Sequence, residues 1–256
     1  MTEHERLMYE VLGKISATDA PIVFKGALIT RLVLAENGYT MLDRITRDID
    51  ANWTDTLPSM DDLVGTVQKA LDGFPEQLCA VAIRKYDAKK SAGISIKPAN
   101  SDKEIISMDI SVKPSIGSRT YHYREIRIRG VLPNEILADK IAVLSSRLLF
   151  RRAKDIVDVY ALTHCIEVEI TEIYHVLSQK SAALGEFLEM NNRHDDIEHA
   201  YGKLRGIEGK PPFSEVYPYM QRFLSPFALK DETPRVWNSG TQVWDDSRQR
   251  KPSMFG

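Results

Sequence analysis

One stretch of the sequence restricts the fold more than any other. The apolar run at residues 22–24 is typical of a short buried strand, and the small residues Gly26 and Ala27 follow it closely. Apolar residues then recur at helical spacing, and a second strand carries Asp48 and Asp50. The stretch therefore predicts a sheet with a helix packed back against it, and it places polar groups at the ends of these elements.

The residue types in this stretch favour phosphate and metal chemistry. The start of a helix offers backbone N–H groups and a positive dipole end, which suit a phosphate, and Gly26 and Ala27 leave room for it. Asp48 and Asp50 are two residues apart, so on a strand they point the same way and repel unless a cation lies between them. Oxygen ligands favour Mg²⁺ or Mn²⁺. The alternative is a turn that binds nothing and two solvated acids.

The composition is that of an ordinary soluble protein. The chain has 256 residues, of which 43% are hydrophobic and 27% charged, and its formal net charge is −2. This charge excludes a generally basic coat for nucleic acid but leaves room for a local basic cleft. We expect no membrane span or signal peptide, and the two distant cysteines, Cys79 and Cys165, indicate a reduced, cytoplasmic location.

The hydrophobic period changes from two to 3.6 near Pro133, which predicts an α+β fold. An N-terminal mixed β-sheet flanked by helices, residues 1–132, would be followed by a C-terminal helical bundle, residues 133–256, that contributes to the active-site cleft. Asn134 is the candidate N-cap of the first bundle helix. The strands of the sheet block alternate, and we expect them at 78–84, 94–97, 106–112 and 121–129, the last as one continuous strand.

Asp109 lies in the middle of one of these strands, with apolar residues on the opposite face. An acid at such a place needs a partner, a metal or water. An open sheet face would explain it without any function. Together with Asp48 and Asp50, it would complete a site for two metal ions.

The first bundle helices are rich in charge. Lys140 and Arg147 are seven apart and share a helix face. Asp158 lies four positions after Lys154 and three after Asp155. Intrahelical ion pairs on a solvated face are the ordinary interpretation. The density of basic residues here also suits a triphosphate and an RNA backbone.

These motifs together resemble those of the AbiEii branch of the DNA polymerase β-type nucleotidyltransferases. The resemblance extends over about residues 22–160 and rests on four features, the third motif being the most specific: Gly26-Ala27 with Asp48-Ile49-Asp50, Arg44-x-Thr46, Lys140 with Arg147, and Arg152-x-Lys154-Asp155-x-x-Asp158. The family supplies toxins of type IV toxin–antitoxin and abortive-infection pairs. Its members bind a nucleoside triphosphate with Mg²⁺, and some relatives transfer nucleotides to the 3′ end of tRNA.

The resemblance implies a role for each matching residue. Gly26 and Ala27 would line the triphosphate, and Asp48 and Asp50 would hold metal. The remaining residues would contact phosphates or act in the same cleft: Lys140, Arg147, Arg152 and Asp158 in nucleotide binding, and Lys154 and Asp155 in catalysis. Asp155 is the candidate for orienting or deprotonating the acceptor hydroxyl.

Three departures from the family pattern leave alternatives open. Arg47, which lies outside the residues that the structure describes, stands where some members have an acid before Asp48. Ala27 lacks a hydroxyl for the phosphates, and Leu144 replaces a small residue between Lys140 and Arg147. The favoured hypothesis is a cytoplasmic, Mg²⁺-dependent nucleotidyltransferase that takes an NTP and an RNA acceptor, with a cognate antitoxin as partner. The alternatives are a protein hydroxyl as acceptor, or a non-catalytic nucleotide- or RNA-binding module on the same fold.

Overall fold

The computed structural model describes residues 2–46, 48–75, 77–86, 91–113, 115–146 and 149–246. The chain divides into two compact units, and neither is one continuous segment. The first unit comprises Met1–Leu32 and Ile45–Leu132, and the second comprises Val33–Arg44 and Pro133–Gly256. No helix of the described part is both long and apolar enough to cross a bilayer. Whether 1–132 and 133–256 are separate domains stays a prediction.

The elements follow one another in an α+β order, as the sequence predicts. The helices are α1 (Glu3–Ser16), α2 (Gly26–Glu36), α3 (Met60–Leu71), α4 (Pro133–Leu144), α5 (Ala153–Cys165), α6 (Ile170–Gln179), α7 (Leu188–Asn192), α8 (His194–Gly202) and α9 (Phe213–Ala228). The strands are β1 (Ile22–Lys25), β2 (Asp43–Arg44), β3 (Asp48–Trp53), β4 (Leu78–Arg84), β5 (Ser91–Pro98), β6 (Ile106–Val112), β7 (Ser118–Tyr123), β8 (Ile126–Val131), β9 (Ile207–Glu208), β10 (Arg235–Asn238) and β11 (Val243–Asp246). A 3₁₀ turn, Leu149–Arg152, precedes α5.

The first unit is built on a seven-stranded sheet in the order β4-β5-β6-β3-β1-β8-β7. The pairs β1–β8 and β3–β6 are parallel, and the other neighbouring pairs are antiparallel. The prediction of a mixed sheet is therefore confirmed. α1 packs against β8 and α3 against β4.

Alternation along β6 shows why the sheet has one core face. Ile106, Met108 and Ile110 are fully buried, whereas Asp109 between them is exposed. Because side chains alternate along a strand, the acid faces away from the core that these residues form. The sheet therefore buries one side of β6 and leaves its polar side open.

The expected single strand at 121–129 is wrong. The structure contains a hairpin in which β7 and β8 are joined at Arg124 and Glu125, and Tyr123 pairs with Ile126. Arg124 takes a φ of +53°, a left-handed conformation that is usual for glycine or asparagine. The sequence has no such residue at the turn, so the alternation of polar and apolar residues continues across it without a break. In the structure, Tyr121 and Ile128 are directly paired and both buried.

The second unit is helical, with two small two-stranded sheets, β2–β9 and β10–β11. Its first bundle helix begins at Pro133, so the expected N-cap role of Asn134 is wrong. Proline suits this first position because it has no N–H to leave unpaired and its φ is already helical. The Asn134 side chain instead donates a hydrogen bond to Glu172 on α6.

Candidate active site

Three carboxylates lie on neighbouring strands of the first unit. Asp48 and Asp50 are on β3, two residues apart, and Asp50 is in direct register with Asp109 on β6. Because β3 and β6 are parallel and in register, the three side chains share one face of the sheet. Ile49 and Ala51, which alternate with the acids, are fully buried. Asp48 and Asp109 are exposed and Asp50 is half-buried.

Gly26 lies directly against one of these acids. It begins α2 with a φ of +72°, and a Cβ added there would lie 2.3 Å from Oδ2 of Asp50. The missing side chain therefore lets the Asp50 carboxylate lie directly against the backbone, at a helix start whose first N–H groups have no partner within the helix. Ala27 follows with a buried side chain, so only its backbone is available at this end.

Asp109 is held by an arginine from two strands away. Nη2 of Arg84 on β4 lies 2.5 Å from Oδ1 of Asp109, and both side chains are about half exposed. The strand between them contributes Gly93, which is paired with both residues. A Cβ at Gly93 would lie 3.3 Å from Cβ of Arg84, so the glycine lets the arginine cross β5.

Two further polar residues lie near the acids and were not predicted. Lys25, opposite Asp50 in the β1–β3 register, donates a 2.6 Å hydrogen bond from Nζ to Oδ1 of Asn52. Asn52 is buried, and its Nδ2 has no hydrogen-bond partner among the described residues. In the sequence, Lys25 stands out only as a charged residue directly after the apolar run at residues 22–24.

The sheet acids are not drawn together as tightly as a formed metal site. Within the described ranges, the one group of three possible ligands whose atoms all lie within 4.8 Å is His194, Asp195 and Glu198, and all three are exposed. Such exposed groups are common on surfaces that bind no ion. The metal-binding roles of Asp48, Asp50 and Asp109 stay predictions.

In the second unit, one lysine joins two carboxylates. Nζ of Lys140 on α4 lies 2.8 Å from Oδ1 of Asp155 and 2.6 Å from Oδ2 of Asp158, both on α5. The lysine side chain is 11% exposed and Asp158 only 2%. The sequence identifies these three residues only through their match to family motifs. Their contact does not follow from sequence spacing, because it depends on how α4 packs against α5.

The environment of Lys140 keeps it charged. Burial lowers its pKa, but the charges of Asp158 and Asp155 and their hydrogen bonds outweigh burial, so the pKa of Lys140 is raised above its ordinary value. The lysine is therefore a fixed cation that orients two acids.

The residues just before and at the start of α5 are exposed cations. Arg152 and Lys154 face solvent, and within the described ranges neither side chain has a hydrogen-bond or ion-pair partner. Arg147 lies outside the described residues. Leu144, the departure from the family pattern, is fully buried in α4.

A hydroxyl network anchors the rest of α5. The Tyr160 hydroxyl donates to Glu215, and Thr163 Oγ1 lies 2.9 Å from the Tyr219 hydroxyl. Trp237 donates from Nε1 to the same Tyr219 oxygen at 2.8 Å. Burial raises the pKa of Tyr219 to about 12, so this hydroxyl keeps its proton at neutral pH. The network ties α5 to α9 and β10.

The sequence as a whole matches a family of nucleotidyltransferases. The model of the family described as nucleotidyl transferase AbiEii toxin, type IV toxin–antitoxin system, matches residues 6–239. The chain belongs to this family, and the protein is a nucleotidyltransferase of the toxin class. No individually curated protein matches the sequence.

Two solved structures are similar to the chain at low sequence identity. One is MenT4, a nucleotidyltransferase toxin from Mycobacterium tuberculosis, with a TM-score of 0.45 and 15% identity over 72% of this chain and 68% of that one. The other is an antigenic nucleotidyltransferase-like protein from Paracoccidioides brasiliensis, with a TM-score of 0.44 and 15% identity over 84% and 97% of the two chains. The family assignment rests on the sequence match and not on these likenesses.

Proposed function

We propose that the protein transfers a nucleoside monophosphate from an NTP to a hydroxyl of RNA, with the 3′ end of tRNA as the first candidate. It would use Mg²⁺ or Mn²⁺ and act in the cytoplasm as the toxin of a toxin–antitoxin or abortive-infection pair. One observation carries the proposal: Asp48 and Asp50 share the open face of β3, and the bare Gly26 at the start of α2 lies against Asp50.

These residues suit a divalent cation. Asp48 and Asp50 offer hard oxygen ligands on one face, and the missing Cβ of Gly26 lets the Asp50 carboxylate lie against the start of α2. A cation held there would stabilise the charge of a triphosphate. Asp109 is proposed as the third carboxylate, and its contact with Arg84 balances its charge in the present structure.

The remaining residues have roles that follow from their surroundings. The backbone N–H groups of Gly26 and Ala27 would donate to phosphate oxygens at the start of α2. Lys154, Arg152 and the undescribed Arg147 would neutralise phosphates. Asp155, oriented by Lys140, would accept a hydrogen bond from the attacking hydroxyl.

Asp158 has a supporting position in this proposal. It is almost fully buried, and its Oδ2 lies 2.6 Å from Nζ of Lys140. Its proposed contribution to nucleotide binding therefore passes through Lys140. That the acids of the first unit and this cluster of the second serve one reaction is part of the proposal, supported by the family motifs they match.

The test is labelling of total RNA with α-labelled NTPs by the purified protein. We expect Asp48→Asn to lose at least about a hundredfold in incorporation, because its carboxylate would hold the metal. Asp19→Asn, an exposed acid of the same unit, should label like the wild type. Normal labelling by Asp48→Asn would refute the assignment, and Asp109→Asn in the same assay measures whether the third acid is needed.

The acceptor is identified by mass spectrometry of RNA and protein after incubation with each NTP. A nucleotide added to RNA supports the proposal. A nucleotide added to a protein hydroxyl, including one of a co-purified antitoxin, would replace RNA by protein as the acceptor. Binding of NTP by calorimetry without any turnover would favour the non-catalytic module.

A further inference from the structure

A groove of about 490 Å³ lies between α1 and the β7–β8 hairpin, wholly within the first unit. We call it the α1–β8 groove. Glu10, Gly13, Lys14 and Ala17 line it from one face of α1, as their spacing of three and four residues requires. A Cβ at Gly13 would lie 2.3 Å from Cγ2 of Ile126, so the glycine allows α1 to approach β8 closely.

The α1–β8 groove is strongly basic. Four cations line it: Lys14, Arg119, Arg127 and Arg129. Its acid is Glu10, which pairs with Arg6 at 3.2 Å. A concentration of positive charge in a chain whose net charge is −2 needs a physical reason.

Two of the four cations of the groove have no role in the fold, whereas Arg119 lies over the Tyr121 ring and Arg129 bonds to the backbone. Lys14 and Arg127 are exposed, and neither has a hydrogen-bond or ion-pair partner among the residues that the structure describes. Arg129 donates from Nη2 to the carbonyls of Thr18 and Ala20, at 3.0 and 2.9 Å. Its Nε is buried and has no partner within the same residues. A buried donor without an acceptor is costly.

The other lining groups indicate what kind of anion fits. Hydroxyls of Ser16, Ser118 and Thr120 lie among the cations. None of the large apolar side chains that are exposed in the described part lines the groove, whereas a protein interface would need such anchors. Three of the four cations are arginines, whose planar forks match phosphate oxygens. The composition is that of a phosphodiester-binding surface.

We infer that the α1–β8 groove binds the phosphate backbone of RNA. In the sheet, β8 lies beside β1, and β1 lies beside β3, which carries Asp48 and Asp50. With strands about 4.8 Å apart, the groove strand lies about 10 Å across the sheet from the acidic strand. The meaning of this surface for catalysis rests on the proposed RNA acceptor, but binding itself needs no turnover.

The experiment compares two charge-reversal pairs in the full-length protein. Lys14→Glu with Arg127→Glu alters the groove, and Lys69→Glu with Lys103→Glu makes the same change in net charge on exposed lysines elsewhere in the first unit. The probe is a fluorescein-labelled, mixed-sequence single-stranded RNA of about 20 nucleotides, and its anisotropy is read between about 50 and 200 mM salt.

We expect the groove pair to weaken RNA binding at least tenfold and the control pair by less than about twofold. The slope of log K against log salt should become shallower by about 1.4, which is about 0.7 for each of two lost phosphate contacts to a single strand. If the groove pair fails to fold by circular dichroism, Lys14→Gln with Arg127→Gln replaces it.

Equal RNA binding by the two pairs would overturn the inference, as would a wild-type protein that binds no RNA. Binding of polyglutamate in place of RNA, lost in the groove pair, would overturn it in favour of an acidic protein partner. Asp48→Asn separates this inference from the proposed function, because we expect it to keep RNA binding while it loses labelling. Loss of RNA binding in the groove pair supports the groove even if no RNA is ever labelled.

Discussion

Because Gly26 has no side chain, its backbone can adopt a positive φ and the Asp50 carboxylate can lie against it. We expect Gly26→Ala to destabilise the protein by at least about 1–2 kcal/mol, because its φ is +72° and its Cβ would displace Asp50. It should also abolish labelling. The measurements are urea unfolding and the RNA-labelling assay.

The matched control is Gly73→Ala in the same unit. Gly73 also has a positive φ, +90°, but a Cβ there would meet nothing within 4 Å. It should show the backbone strain alone and keep full labelling. If Gly26→Ala labels RNA to the same extent as Gly73→Ala, the close approach of Asp50 to Gly26 has no role in the reaction.

Single residues were predictable where their type is unusual for their position. Asp48, Asp50 and Asp109 stand out because carboxylates seldom alternate with buried aliphatics without a reason. Arg84 was not predictable as the partner of Asp109. Its contact depends on the register of three strands and on the bare Gly93 between them, and neither follows from local spacing.

At the scale of elements, Lys140 is the connection between α4 and α5. We expect Lys140→Met to cost about 3–5 kcal/mol, because it leaves Asp155 and the buried Asp158 without their cation. Lys154→Met, which removes an exposed lysine from α5, should change stability by less than about 0.5 kcal/mol. Urea unfolding measures both.

A second variant separates charge from packing at this connection. Lys140→Met combined with Asp155→Asn and Asp158→Asn removes the two anions together with the cation, and it should recover most of the lost stability. If the triple variant is no more stable than Lys140→Met, the loss comes from the packing of the lysine stem and not from unpaired charge.

Elements were predictable wherever the period is clean. The expected strands at 78–84 and 106–112 coincide with β4 and β6. The hairpin at Arg124 was missed, because a left-handed arginine has no sequence signal of its own. The start of α4 was misplaced by two residues for a similar reason: Asn134 resembles a cap, but it lies inside the helix and its side chain bonds to Glu172 on α6.

For the molecule as a whole, buried groups with raised pKa values should make the free energy of unfolding fall at high pH. The pKa of Tyr219 is raised by burial to about 12, and the pKa of Lys140 is raised by its two acids. A group whose pKa is raised on folding stabilises fully below its unfolded pKa and loses that contribution as pH rises through the folded one. The ordinary pKa is 10.0 for Tyr and 10.5 for Lys, so the loss should begin above about pH 10.

The free energy of unfolding in urea, measured from about pH 8 to pH 12, tests this. Tyr219→Phe should be less stable than the wild type at pH 8, because Thr163 and Trp237 lose a partner, but should lose less stability between pH 10 and 12. Tyr123→Phe, in the first unit, is the control. Parallel curves for the wild type and Tyr219→Phe would show that this hydroxyl does not titrate with unfolding.

The division of the chain into units could not be predicted from sequence. The hydrophobic period changes near Pro133, and this position coincides with one of the places where the chain passes from one unit to the other. Nothing in residues 33–44 signals that they belong with the helical part. That membership depends on long-range contacts such as the pairing of β2 with β9.

The two units exchange the chain three times, after Leu32, after Arg44 and after Leu132. No single backbone cut can therefore release both as intact pieces. A cleavage between 132 and 133 would leave β2 on one fragment and its partner β9 on the other. A single continuous gene segment therefore cannot encode either unit alone. A protein split into two chains would have to reassemble by fragment complementation.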